Sequence, residues 1–325
     1  MSQTPPAETG AVRMRAISPV RWGGPEVLTE IEVDRPEPRP TEILVRVHAA
    51  GLNATDWKSR AAGGLGLWSD PPILGHDVSG VVEAVGLGVT LYQPGDEVFG
   101  MPLFPLQVGA YAEYVTAPAR QFARKPAQID HVEAAALPLV ALTAWQGLTE
   151  TAGLQPGQRV LIHGAGGGLG HVAVQIAKAR GGYVIGTASE GKHAFLRGLG
   201  ADELIDYRTT DFAEVLQDID VVFDCIGGDY GPRSLKVLRS GGVLVSLASP
   251  AEDGLVPQAA ELGVRAGFTL VEPDYAGLLA IADLVRAGRL RAKIETVLPL
   301  EQAAKAHEIG ESGHTTGKIV LTVNR

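Results

Sequence analysis

The chain holds a single cysteine, Cys225, among 325 residues. One thiol excludes an intrachain disulfide and any cysteine-rich zinc site, and it agrees with a reducing compartment. Aromatic residues make up only 6% of the chain. The longest apolar run, 134–145, is too short to cross a bilayer and contains Pro138. No apolar stretch near Met1 reads as a signal peptide, so the expected location is the cytoplasm. Positive charge is in deficit as well: 28 lysines and arginines stand against 37 aspartates and glutamates, a net charge of −9. That balance speaks against nucleic acid or an anionic membrane as a partner. The charge is spread along the chain, as expected of a solubility feature.

Glycine is what the chain has in plenty, with 41 residues against a usual share of about 7%. The stretch that organises the rest is 159–182, RVLIHGAGGGLGHVAVQIAKARGG. Val160, Leu161 and Ile162 have the length of a buried strand, and a glycine-rich turn follows from Gly164 to Gly170. Leu169, Val172, Ala173, Ile176 and Ala177 then recur at helical spacing, which predicts one face packed on a sheet. Read as Ala165-x-Gly167-x-x-Gly170, this is the dinucleotide fingerprint with alanine in the first glycine's place. Gly167 lets the backbone approach a pyrophosphate, Gly170 lets helix and strand pack closely, and Gly168 and Leu169 open a helix whose free N–H groups suit a diphosphate.

The next strand, 183–187, distinguishes the two nicotinamide dinucleotides. NAD binders carry a carboxylate about 20 residues on, at the end of that strand. Ser189 and Lys192 follow here instead, with Glu190 between them. A hydroxyl and an ammonium hold a 2′-phosphate that a carboxylate would repel, so NADPH is the expected cofactor. The plainer reading of Lys192 is a solvated residue in the first turn of a helix.

The length suits two domains. Residues 1–12, polar and proline-containing, read as a disordered lead. Short strands and turns then follow at 14–17, 28–33, 43–49, 78–85, 97–100 and 111–116, the pattern of a β-rich domain. Residues 131–151 read as largely helical despite Pro138, and beyond them strand and helix alternate to about 293. Such alternation predicts a doubly wound parallel sheet of the Rossmann kind. Strands at 294–298 and 318–323 are expected to return to the first domain. The division is therefore 13–130 with 294–325, and 131–293.

Eight segments in order carry a family likeness: WGGPEVL (22–28), AAGLNATDWKSR (49–60), ILGHDVSGVVEAVG (73–86), GDEVFG (95–100), GAYAEYV (109–115), ALPLVALTAW (136–145), HGAGGGLGHVAVQIAK (163–178) and TTGKIVL (315–321). Together they resemble the medium-chain dehydrogenase/reductase superfamily, in its zinc-independent quinone oxidoreductase branch. The resemblance implies a GroES-like catalytic domain beside the Rossmann domain, a cleft between them for NADPH and substrate, and a homodimer formed through the Rossmann sheet.

In zinc-dependent relatives the segments matching Asn53, His76 and Leu139 or Val140 supply cysteine, histidine and cysteine ligands. Here His76 stands alone of the three, and an imidazole with an amide and an aliphatic chain is not a set Zn²⁺ prefers. His76 then reads as a hydrogen-bonded cleft or core residue, or as a substrate contact. Loss of the Lewis acid favours hydride delivery to an already electrophilic acceptor, a quinone or an α,β-unsaturated carbonyl. Asn53 donates to the developing oxyanion or holds its loop; Asp56 orients Asn53 or Trp57 or stays a structural loop carboxylate; Tyr111 donates its hydroxyl, lines the cleft or is simply buried. By the same likeness Thr143 faces the nicotinamide or bonds a carbonyl in its own helix, Tyr207 lies beside the adenosine phosphate, and Lys318 reaches a phosphate or sits on a surface strand. Cys225, Ile226 and Gly227 lie where open sheets bind ligands, with Cys225 a packing residue, and Leu247, Ala248 and Ser249 pass the carboxamide. The competing functions are a metal-free alcohol or ketone oxidoreductase and a non-catalytic NADPH sensor.

Overall fold

The computed structural model of the chain describes residues 12–64, 66–248 and 254–323. All but Val12 of the expected lead, and Ser249, lie outside them. Two strands, β1 (Arg13–Pro19) and β2 (Leu28–Asp34), form an antiparallel ribbon. A mixed sheet is built from β3 (Glu42–Gly51), β4 (Asp77–Val85), β5 (Glu97–Gly100), β6 (Tyr114–Pro118) and β7 (Phe122–Arg124). Helix α1 (Ala54–Ala62) leaves the end of β3. The 111–116 strand expected from the sequence begins later, because the backbone of 111–113 bonds to Arg15, Ile17 and Leu74 before it joins β3, while the Tyr111 ring packs over Gly75. That glycine has φ +90° and would place a Cβ 2.4 Å from the Tyr111 ring.

Residues 131–151 do not form one helix. Pro138 cannot donate a backbone bond, so the segment breaks into α2 (His131–Ala135) and α3 (Pro138–Trp145), with a wider π-turn over Gln146–Thr151. The parallel sheet comprises β8 (Arg159–His163), β9 (Tyr183–Thr187), β10 (Glu203–Ile205), β11 (Ile219–Asp224), β12 (Leu238–Ser246) and β13 (Arg265–Phe268). Among the described residues its order is β10-β9-β8-β11-β12-β13, every neighbouring pair parallel. Connecting helices are α4 (Gly170–Ala179), α5 (His193–Gly198), α6 (Phe212–Val215), α7 (Tyr230–Leu235) and α8 (Leu255–Glu261), followed by α9 (Tyr275–Arg286). Residues alternate across the sheet: Val160 and Ile162 enter one core and Leu161 the other, all fully buried.

After α9, β14 (Ile294–Pro299), α10 (Ala303–Glu311) and β15 (Lys318–Thr322) leave the parallel sheet. β15 pairs antiparallel with β3 and parallel with β14, which adds both strands to the mixed sheet. Helix α4, expected to bury one face, is buried nearly all round. The crossing segment covers its second face: Gln175 exchanges hydrogen bonds with the Arg291 backbone, and His171 Nε2 accepts from Lys293 N.

Candidate active site at the junction of the sheets

Strand order in the parallel sheet reverses between β8 and β11, and ligands of such sheets sit outside the carboxyl ends at that point. The Gly164–Gly170 turn follows β8, and Cys225, Ile226 and Gly227 follow β11. Gly164 has φ +65°, and a Cβ on it would lie 2.9 Å from Ile226 Cδ1. A Cβ on Gly170 would lie 2.3 Å from the Gly164 carbonyl. Ala165, fully buried, packs on Gly186 of β9. Gly168 sits against the Gly317 carbonyl and the Lys318 stem. Leu169 caps α4. The turn is therefore as tight as a dinucleotide cradle needs, and its residues fit the diphosphate.

Around it the expected contacts fall unequally. Lys192 lies with its stem over Gly166, and its ammonium donates to the carbonyls of His314 and Thr315. Ser189 precedes the short turn that carries Lys192. Tyr207 is half-exposed with Arg208 over its ring. Leu247 N donates to the Asp224 carbonyl, and the Ala248 carbonyl accepts from Lys58 of α1. Cys225 is a packing residue: burial, with Asp224 beside it, pushes its thiol well above the usual range. Thr143 turns its hydroxyl to the Leu139 carbonyl at 2.7 Å, the intrahelical alternative.

Lys318 is not the surface strand residue of the second alternative. It is 3% exposed, and its ammonium donates to the Leu52 carbonyl at 2.6 Å and to Asn53 Oδ1 at 2.5 Å. Lysine can only donate, so the Asn53 oxygen faces it and the amide nitrogen faces Asp77 Oδ2, at 2.9 Å. Asp77 Oδ1 accepts from Leu139 N, the first free donor of α3 after Pro138. The Asn53 amide is thus engaged by Asp77 and by the Gly51 carbonyl.

A second arm starts from Asp56. Its Oδ2 accepts from Asn53 N at 2.8 Å and from the Tyr111 hydroxyl at 3.2 Å, while Oδ1 is buried without a partner. Burial pushes the Asp56 carboxyl up to about 7, with Asp77 adding to the rise and Asn53 N, Lys318 and Tyr111 opposing it. With Oδ2 accepting two hydrogen bonds, a proton on Asp56 sits on Oδ1. Tyr111 is fully buried and meets His307 Nε2 at 3.3 Å, so its hydroxyl is engaged within the cluster. Arg60, 2% exposed, approaches His307 Nδ1 at 3.5 Å and pairs with Glu311. Arginine only donates, which makes Nδ1 the acceptor and Nε2–H the donor toward Tyr111. Burial and Arg60 hold His307 neutral, its pKa down to about 3.

Asp77, Arg60 and His307 escaped sequence reasoning. Asp77 carried a signal, a lone carboxylate opening an apolar strand. Arg60 and His307 meet across 247 residues and carried none.

The region that holds zinc in zinc-dependent relatives has a poor donor set here. His76 Nδ1 is buried and unpartnered, the Asn53 amide is engaged, Leu139 and Val140 are aliphatic, and the Lys318 ammonium lies within the cluster. Among the described residues no three His, Cys, Asp or Glu side chains gather as a metal site.

Two family models match the chain: the alcohol dehydrogenase GroES-like domain over residues 39–127 and a zinc-binding dehydrogenase domain over 199–321. A mouse mitochondrial protein named NAD(P)H oxidoreductase RTN4IP1 is 34% identical, over 87% of this chain and 82% of its own. The structure of the quinone oxidoreductase from Coxiella burnetii is 36% identical with a TM-score of 0.91, covering 96% of this chain and all of that one. This chain belongs to the medium-chain dehydrogenase/reductase superfamily, in its quinone oxidoreductase branch. It is an α/β protein with a GroES-like domain and a Rossmann-like sheet, and an NAD(P)H-dependent oxidoreductase. A further superfamily structure, an NAD-dependent alcohol dehydrogenase, is 35% identical with a TM-score of 0.88 over 96% of this chain and all of that one. Among the described residues no helix is long and apolar enough to cross a membrane.

Proposed function

We propose that this oxidoreductase uses NADPH to reduce quinones or α,β-unsaturated carbonyls without a metal. The observation that carries the reading is the buried Lys318–Asn53–Asp77 cluster beside the glycine turn, which offers a fixed positive charge and no ligand set for zinc. The bound cofactor supplies the hydride. Gly164, Gly167, Gly168 and Gly170 cradle its diphosphate on the open end of α4. Ser189 and Lys192 take the 2′-phosphate, with Lys192 exchanging the two carbonyls it now holds for the phosphate oxygens. Leu247 and Ala248 border the nicotinamide side.

The Lys318 ammonium stabilises negative charge developing on the acceptor oxygen through the field it sets up at Asn53. Asp77 holds the Asn53 amide, and Asp56 holds its backbone N–H, so the loop carrying Asn53 stays in place while charge moves. Water supplies the proton that completes reduction. A homodimer joined through the parallel sheet and a cytoplasmic location belong to the same reading.

The test is NADPH oxidation measured across a panel of quinones, enones and simple ketones, on protein of measured metal content. Turnover of quinones or enones by metal-free protein is expected. NADPH binding with no turnover of any acceptor, or activity that tracks bound zinc, overturns the proposal. The similarity to an alcohol dehydrogenase favours a second reading, reduction of C=O. Product analysis with one enone separates them, since C=C reduction supports the first and C=O reduction the second.

A further inference from the structure

Asp56 and Asp77 are fully buried, and Lys318 beside them is 3% exposed. The other polar groups packed on Asp56 are already matched. Arg60 pairs with Glu311 at 2.5 Å, and His307, which accepts from Arg60 at Nδ1, is a neutral ring. Tyr111 is a hydroxyl donating to Asp56. One ammonium is therefore left to balance two carboxyls. Were both ionised, an unbalanced negative charge would lie out of reach of water, a state that burial penalises heavily. One of the two carboxyls must hold a proton.

The hydrogen bonds decide which. Asp77 receives Leu139 N at 2.7 Å on Oδ1 and Asn53 Nδ2 at 2.9 Å on Oδ2, where the Lys318 ammonium approaches to 3.6 Å. Donors meet both of its oxygens, which suits a carboxylate. The ammonium has three N–H groups, and Leu52, Asn53 and Asp77 take them. Asp56 receives Asn53 N and Tyr111 on Oδ2, while its buried Oδ1 has no partner among the described residues. A hydroxyl at that oxygen is less costly than an anionic one, because burial acts chiefly on charge. Burial raises both carboxyls, with Lys318, Asn53 and Leu139 opposing the rise at Asp77.

The proton sets the charge that Asn53 feels. Asn53 bonds Asp56 through its backbone and Asp77 and Lys318 through its side chain. With Asp56 neutral the ammonium is balanced once; with Asp56 ionised it is outweighed, and negative charge building on an acceptor oxygen meets a repulsive field.

We propose that Asp56 is a positioning residue that carries the proton of the buried cluster, and that reduction is fastest while it does. It acts on the acceptor through Asn53 and Lys318, and the product's proton still comes from water. For turnover this rests on the reductase reading above; for the place of the proton it does not.

The experiment therefore measures both. Infrared difference spectra of the full chain without cofactor are taken at about pH 6 and about pH 8, either side of the Asp56 value of about 7. A protonated-carboxyl C=O stretch is expected at the lower pH and is expected to be missing from Asp56→Asn. Over the same range, kcat/KM for 1,4-naphthoquinone by NADPH oxidation is expected to fall about tenfold along a one-proton curve. Asp56→Asn, a permanent stand-in for the protonated side chain, loses that decline whatever its absolute rate. Tyr111→Phe removes a donor to the ionised carboxylate and shifts both the band and the decline to higher pH, which a purely structural residue would not do. If Asp56→Asn fails to fold, the Tyr111→Phe shift carries the test. A wild-type spectrum without the band, a band kept in Asp56→Asn, or a rate that is flat or declines equally in that variant overturns the inference. The band on Asp56 with no turnover of any acceptor sinks the reductase reading and leaves the place of the proton standing.

Discussion

Lys318 of β15 donates a hydrogen bond to the side-chain oxygen of Asn53, 265 residues earlier in the chain. The bond fixes which way the Asn53 amide points, and with it the partner of Asp77. Replacing Lys318 by Met leaves the Asp77 carboxylate buried without its cation. Removing one member of such a pair destabilises by about 3–5 kcal/mol. Urea unfolding should show a lowered midpoint of that order for Lys318→Met, and Asp77→Asn in the same chain should recover part of it. An unchanged midpoint would mean that Lys318 contributes no net stabilisation to Asp77.

The glycine turn admits no side chain at Gly170, where a Cβ would meet the Gly164 carbonyl at 2.3 Å and Ala165 Cα at 2.7 Å. Both neighbours are backbone, so Gly170→Ala must open the turn. NADPH affinity by titration calorimetry is expected to fall about tenfold or more, some ~1.4 kcal/mol. Wild-type affinity in this variant rules out the turn as the diphosphate cradle.

Lys192 separates the two dinucleotides. Its ammonium now holds two backbone carbonyls that solvent can take over. Lys192→Ala should weaken NADPH about tenfold and NADH by less than about twofold, since only the first carries a 2′-phosphate. Equal losses for both would remove Lys192 from the phosphate site.

Acid should unfold this protein through its buried imidazoles. Burial lowers His163 and His307 to about 3 and His76 and His171 to about 4, from an ordinary 6.5. Between those values the unfolded chain binds more protons than the folded one, so stability falls as pH drops below about 6.5. Each ring contributes on the order of 3–5 kcal/mol once the pH is below its folded value. Asp56 acts in the opposite sense: its folded pKa is raised to about 7, which favours the fold as pH falls from there toward 4. Asp77 and Glu150 are raised too, but His48 and His131 are also lowered, as are the carboxyls of Asp96 and Glu97 beside their cations, so the balance is a net loss. Urea midpoints measured down the pH scale should decline below about 6.5, and a flat profile to pH 4 would contradict the burial of these rings.

Local chemistry was legible in the sequence wherever a few neighbouring residues decide the outcome. The strand at 160–162, the glycine turn and the helix after it obey short-range rules of period and backbone freedom, and they were read at nearly their true bounds. So was the alternation that builds the parallel sheet. Pro138 gave a local warning, and its missing N–H split the helix. What only the tertiary structure decided is which polar groups face each other once buried. Asn53, Asp56 and Tyr111 were singled out for the cleft, yet their partners are Lys318, Asp77 and His307, brought together when β15 pairs with β3 and α10 packs against α1. Each of those polar groups is removed from water and must find a partner, whatever its distance along the chain. The sequence carries the donors and acceptors; the closing of the sheet chooses the pairs.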